Sequence, residues 1–292
     1  MAIDKLQEKI RKRKNPSMVD LSVCDDQIPP HIWENEDVPL LVYGRYYHEL
    51  LTGLRDIVPA VRVSLGHFSL MGPEGLQLLR DVTYVAKELG YYVLLDAPES
   101  LSAQSAETTA NKLFASDCHW WFDGLLISAY AGSDVLKPYV SRLKESGKDL
   151  FVVLRTANKS ASELQDILSG SRLMYMAAAD KVTRQGQPLT GRSGYSQVAG
   201  VGPASNADSL KNLRSKYPNL FLLIDGYDYS NSNAKNCAQA FDKLGHGAIA
   251  CAGAGITAAW KEAGCGGREY ITQAVEAAER MKKNLLRYIT IL

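Results

Sequence analysis

The stretch Glu74-Gly75-Leu76-Gln77-Leu78-Leu79-Arg80-Asp81-Val82-Thr83-Tyr84-Val85-Ala86-Lys87-Glu88-Leu89-Gly90-Tyr91-Tyr92-Val93-Leu94-Leu95-Asp96 decides the fold. Leu76, Leu79, Val82, Val85 and Leu89 recur at three- and four-residue steps, so Glu74 to Leu89 reads as an amphipathic helix. Gly90 stands where a helix-ending glycine belongs. The apolar run Tyr92 to Leu95 then reads as a short buried strand, and Asp96 closes it. Helix, tight turn, buried strand and a polar residue at the strand end make the repeating unit of a parallel α/β protein.

The unit recurs outward in both directions. The other candidate strands are Met18 to Val23, Ala60 to Leu65, Gly124 to Ile127, Leu150 to Leu154, Gln197 to Val201, Leu220 to Ile224 and Ala248 to Cys251, eight in all. Helical patterns fall at Ser102 to Phe114, Val135 to Ser146, Ala161 to Leu168, Asp208 to Lys216, Asn233 to Leu244 and Tyr270 to Leu286. Eight such units in 292 residues predict one α/β domain, a closed (β/α)8 TIM barrel over residues 1–292. A short N-terminal helix, Ile3 to Ile10, precedes it. The basic run Arg11 to Lys14 reads as its solvated end. The Gly-, Gln-, Arg- and Ser-rich segment Thr183 to Ser196 reads as a long loop.

Composition narrows the function classes. Hydrophobic residues are 46% and charged residues 22%, which excludes extensive disorder. Lys plus Arg is 33 against 32 Asp plus Glu, so no basic field suggests nucleic acid. Cys24, Cys118, Cys237, Cys251 and Cys265 are scattered without a C-x-x-C pair, which argues against a disulfide framework and a zinc site. No apolar stretch approaches a membrane span, and the charged N-terminus has no secretory core. The expectation is a cytoplasmic protein that does not bind membranes.

Barrel chemistry lies at the C-terminal ends of the strands. There the sequence offers Ser22, Cys24, Asp25 and Asp26, then Ser64 and His67, then Asp96, Glu99 and Ser100. Further round come Ser128 and Tyr130, Arg155, Thr156 and Asn158, then Asp225, Tyr227 and Asp228. No lysine closes a strand, which argues against Schiff-base chemistry. Asp96, Asp225, Asp228 and His67 are the residues a metal would need, but loop solvation accounts for each alone, so no metal or cofactor is expected. Gly253-Ala254-Gly255 fits either a phosphate-binding turn or a plain strand-to-helix turn.

Several segments together resemble one family. They are Lys14-Asn15-Pro16 with Val19-Asp20-Leu21, Gly72-Pro73-Glu74-Gly75-Leu76, and Asp123 with Tyr130, Gly132 and Asp134. Arg155-Thr156-Ala157-Asn158-Lys159-Ser160 with Gln165-Asp166 follows, then Tyr217-Pro218 running to Leu223-Ile224-Asp225-Gly226-Tyr227. In order and spacing the chain resembles the longer bacterial class of orotidine 5′-phosphate decarboxylase over nearly its whole length.

The resemblance implies a lysine held between carboxylates, which stabilises and protonates the carbanion left when carbon dioxide departs. It also implies active sites at a dimer interface. Residue by residue, Asp96 matches the first carboxylate of the segment after strand three, Pro98 stands at the lysine and Leu101 at the second carboxylate. Ser22 stands at the strand-one aspartate, Arg62 at the strand-two lysine and Ala157 at a serine. Ser230 stands at the phosphate-loop glutamine and Ala254 at the phosphate arginine. Thr156, Asn158, Tyr227, Gly253 and Gly255 are left as candidate ligand-binding positions.

The leading expectation is a non-catalytic or repurposed family member. It would bind a small molecule such as a nucleotide or sugar phosphate, as a homodimer or a heterodimer with an active relative. One alternative is new chemistry on Asp96, Glu99, Asp225, Asp228 or His67. The other is a genuine decarboxylase of pyrimidine (UMP) synthesis with a displaced lysine such as Lys159. Plainer roles stand beside these: Asp96 capping the next helix, Arg62 in an ion pair, His67 structural, Trp120-Trp121 packed under a loop, and Asp25-Asp26 starting a turn.

Overall fold

The computed structural model describes residues 1–34, 38–97, 100–228 and 231–292, without the side chains of 231 and 232. Eight strands close a parallel barrel in the order β1-β2-β3-β4-β5-β8-β9-β10, with β10 returning to β1. They are β1 (Ser17–Asp20), β2 (Ala60–Ser64), β3 (Tyr92–Asp96), β4 (Gly124–Ser128), β5 (Asp149–Val153), β8 (Val198–Pro203), β9 (Leu222–Asp225) and β10 (Ala248–Ala252). Between β5 and β8 a small antiparallel hairpin pairs β6 (Leu168–Ser169) with β7 (Arg172–Leu173). The eight predicted strands are these barrel strands, shifted by a few residues at their ends.

Alternation along each strand splits the core in two. Val19, Val61, Val63, Val93, Leu95, Leu125, Val152 and Leu222 belong to the layer between strands and helices. Met18, Ala60, Tyr92, Leu94, Leu126, Phe151, Val201, Leu223, Ile249 and Cys251 belong to the barrel interior. The helix Ala2–Arg13 plugs the bottom of the interior with Ile3, Leu6 and Ile10. The same alternation, carried one step upward from Met18, Ala60, Leu94 and Leu223, puts Asp20, Arg62, Asp96 and Asp225 in the top layer.

Four sequence expectations change. The basic run is only partly solvated: the Arg13 guanidinium donates to the Val58 carbonyl and Lys14 Nζ to the Ile291 carbonyl at 3.3 Å, while Arg11 and Lys12 are exposed. The helix expected over Ala161 to Leu168 is Ala161–Leu164, because Gly170 at φ 68 turns the chain into the β6–β7 hairpin. The expected loop from Thr183 begins inside the helix Met174–Gly186, which buries Tyr175, Ala178, Ala179, Val182 and Gly186. The helix expected over Asn233 to Leu244 runs from Asn231 to Cys237 and tightens into a 3-10 turn, Ala238–Ala240. A further helix, Pro39–Leu54, had no sequence counterpart; it buries Tyr43, Tyr46, Tyr47 and Leu50.

Candidate functional site

The barrel mouth is organised by one arginine. Arg62 rises from β2; its Nη2 donates to Asp20 Oδ2 at 2.7 Å and its Nη1 to Asp225 Oδ1 at 2.9 Å. The Arg62 side chain is 15% exposed, so the three charges sit in a partly dehydrated place where Coulomb attraction is strong. Burial opposes the guanidinium charge. The acids Asp20 and Asp225 reverse that effect and hold the group well above its ordinary value. Burial pushes the Cys251 thiol up, so it stays a thiol. The plainer sequence reading of Arg62, an ion-pair residue, matches this geometry.

Asp20 is the residue sequence reasoning passed over, because the resemblance drew attention to Ser22. Its signal was the two-residue step from Met18. Asp20 Oδ1 accepts from both the Ser22 amide at 3.1 Å and the Ser22 hydroxyl at 2.9 Å. Ser22 therefore supports the carboxylate that grips Arg62.

A cavity of about 430 Å³ opens beside this triad, lined by Arg62, Asp96, Ser128, Tyr130, Arg155, Thr156, Gln165 and Asp225 together with the apolar strand ends. Asp96 ends β3 on its wall. It does not cap the next helix: Ser102 does, with Oγ accepting from the Ser105 amide at 3.2 Å. Across the cavity, Arg155 makes a two-pronged pair with Asp166 at 2.9 and 2.8 Å. The hydrogen bonds that Arg155 donates to Asp166 hold the Arg155 charge up, and those same bonds hold the Asp166 carboxyl below its ordinary value. Thr156 is framed by Gln165: its amide donates to Oε1 at 2.8 Å and its hydroxyl accepts from Nε2 at 3.0 Å. Tyr130 donates to the Leu154 carbonyl at 2.5 Å, and burial pushes its phenol up to about 12.

The structure separates the other sequence candidates from this cavity. Leu101 is 81% exposed and outside the lining. Asn158 is exposed, its Oδ1 accepting from the Thr156 hydroxyl at 2.5 Å, and Lys159 is exposed beside it. Tyr227 is 4% exposed and packs in the layer between strands and helices. Gly253 caps the short helix Ala254–Thr257, with Gly255 inside it and Ala254 exposed. His67 packs edge-on against Phe68, beside a separate surface cavity shared with Cys24, Asp25 and Tyr43. Asp25 and Asp26 start a 3-10 turn, as expected. Trp120 packs against the core, whereas Trp121 is partly exposed and meets Tyr84 edge-on. Pro98, Glu99 and Ser230 lie outside the described residues. Among the described residues no group of three His, Cys, Asp or Glu side chains is placed to hold a metal ion.

The chain is of the (β/α)8 barrel class, whose active sites lie at the C-terminal mouth, and here arginines and carboxylates gather there. Residues 106–264, just over half of the chain, match the orotidine 5′-phosphate decarboxylase / HUMPS family, and the chain belongs to that family. It is 26% identical over 289 residues to the orotidine 5′-phosphate decarboxylase of Clostridium novyi, covering 98% of this chain and 99% of that one. The Clostridium kluyveri orotidine 5′-phosphate decarboxylase is 27% identical over 289 residues, 98% of each chain. The fold is similar to the crystal structure of Plasmodium berghei orotidine 5′-monophosphate decarboxylase, with TM-score 0.81, 14% identity and 99% of each chain covered. It is also similar to Leishmania donovani OMP decarboxylase, with TM-score 0.72, 20% identity, and 97% of this chain and 100% of that one covered.

Proposed function

We propose that this chain keeps the family's barrel as a single domain but does not carry out decarboxylation, and that its mouth holds a small polar ligand. The observation that carries this reading is Arg62 pinned between Asp20 and Asp225, in a cavity that no described lysine lines. Decarboxylation of a pyrimidine needs a cation that both stabilises a carbanion and gives it a proton. A guanidinium held above its already high pKa supplies charge but gives up no proton. Arg155 is locked to Asp166, and the Tyr130 proton is committed to a backbone carbonyl. The sequence matches at Pro98 and Leu101, which replace a cation and a carboxylate by apolar groups, support the same reading.

The phosphate grip is weakened as well. Ala254 stands at the position matched to the family's phosphate arginine, and alanine offers no charged fork to an oxyanion. Calorimetric titration with UMP checks this: the expected dissociation constant is weaker than about 1 mM, and a constant near about 1 μM would return the site to nucleotide binding. Leu70, Leu101, Leu164 and Leu168 are each strongly exposed after β2, β3 and β5, and a dimer at the mouth would cover such apolar side chains. Among the described residues no helix is long and apolar enough to cross a membrane, and a cytoplasmic location fits the biosynthetic relatives.

A further inference from the structure

A separate cavity of about 620 Å³ lies near the opposite end of the barrel. It lies between the C-terminal halves of the helices Ala103–Leu113 and Ser133–Ser146 and the segment that leads into β4. One wall is aromatic, made by Phe114, Trp120, Trp121 and Phe122. Ala110 and Ala115 leave the space in front of that wall open.

The charges around it are unevenly partnered. Lys87 Nζ is fully engaged, donating to both oxygens of Asp123 at 2.6 and 2.7 Å. Arg142 Nη2 donates to Glu107 Oε1 at 3.3 Å and to Asn111 Oδ1, while its buried Nε has no hydrogen-bond partner among the described residues. Lys148 Nζ lies 3.5 Å from the centre of the Phe122 ring, and among the described residues no carboxylate pairs with it. Burial pushes the Lys148 ammonium below its ordinary value, the mark of a cation short of an anion. Glu145 is the one acid among the lining residues, and it is exposed.

We propose that this cavity binds a planar aromatic anion. Its carboxylate or other oxyanion would sit between Lys148 and Arg142, and its ring would lie against the tryptophan and phenylalanine wall. Both halves of the ligand follow from the lining: an oxyanion supplies the anion that Lys148 lacks and an acceptor for the Arg142 Nε, and a flat ring matches the aromatic wall. Neither half depends on what the mouth binds.

The test is calorimetric titration of the full chain with β-naphthoate and, separately, with β-naphthalenemethanol, its neutral counterpart. The acid is expected to bind at least about tenfold more tightly than the alcohol, the value of one charge-assisted hydrogen bond. Lys148→Met is expected to weaken β-naphthoate about tenfold, and Lys148→Arg to keep most of the affinity. The comparison of the two probes needs no variant, so it stands even if Lys148→Met folds poorly. Equal affinity for acid and alcohol would overturn the proposal. So would no binding of the acid up to about 5 mM, or a folded Lys148→Met that binds it as tightly as the parent.

Discussion

Arg62→Met is expected to lower the stability of the folded chain by about 3 kcal/mol, with a fall in melting temperature of roughly 5 °C. The reason is what the substitution leaves behind. Asp20 and Asp225 are held near each other only because the guanidinium lies between them, at 2.7 and 2.9 Å. Methionine fills the volume but leaves two carboxylates facing one another in the barrel's top layer, and an uncompensated buried charge costs more than a lost contact. Adding Asp225→Asn to Arg62→Met removes one of the stranded charges, so the double variant should recover part of the loss. Urea denaturation of the parent and the variants measures all of this. A single variant within about 0.5 kcal/mol of the parent would show that the triad is a surface feature. No recovery in the double variant would show that the loss came from packing.

The second large effect lies at the other end of the barrel and has the opposite sign. Asp149 begins β5 and is fully buried. Tyr92 donates its hydroxyl to Asp149 Oδ2 at 2.8 Å. Burial holds this carboxyl well above its ordinary value; the hydrogen bonds from Tyr92 and the Ile3 backbone offset only part of that. The group is therefore protonated when folded over a range where the unfolded chain has released the proton. Its contribution to stability is fully present below the unfolded pKa, about 3.9, and is lost as pH rises through the folded value. Asp149→Asn substitutes a permanently neutral group of nearly the same shape and donor pattern. It should match the parent near pH 4 and exceed it at pH 8, by on the order of 2 kcal/mol. Melting temperatures at the two pH values read the difference directly. A variant less stable than the parent at pH 8 would mean that the carboxylate is ionised and paired in the folded chain.

Much of the architecture was legible because barrel strands are short, apolar and regularly spaced. Tyr92 to Asp96 and Ala248 to Ala252 are almost uninterrupted apolar runs, as strands covered on both faces must be. The helix Pro39–Leu54 escaped because four of its buried positions are tyrosine or tyrosine-flanked, and Tyr43, Tyr46 and Tyr47 read as ambivalent without their partners. Met174–Gly186 was missed, and its end was read as loop because Gln185 and Gly186 look like loop residues, although Gly186 is in a helix that packs tightly on Ser196 and Val198. At the site, the sequence pointed to the mouth and to Asp96, Arg155, Thr156 and Asp225, since each follows directly from a strand end. It could not show that Arg62 reaches both Asp20 and Asp225, residues 42 and 163 positions away in the chain. Such long-range pairings arise only when the barrel closes. The Asp166 that pairs with Arg155 lies just beyond the short helix Ala161–Leu164, in a stretch the sequence had read as helix through Leu168.

We propose that this member of the orotidine 5′-phosphate decarboxylase / HUMPS family has a mouth built around a pinned arginine that gives up no proton. The most direct measurement follows orotidine 5′-phosphate by ultraviolet absorbance with the pure protein at high concentration. The account predicts no loss of substrate above the uncatalysed background. Clear turnover, proportional to protein concentration, would contradict it and would require a lysine to reach the cavity beside Asp96 and Arg62, with Lys159 the first to replace.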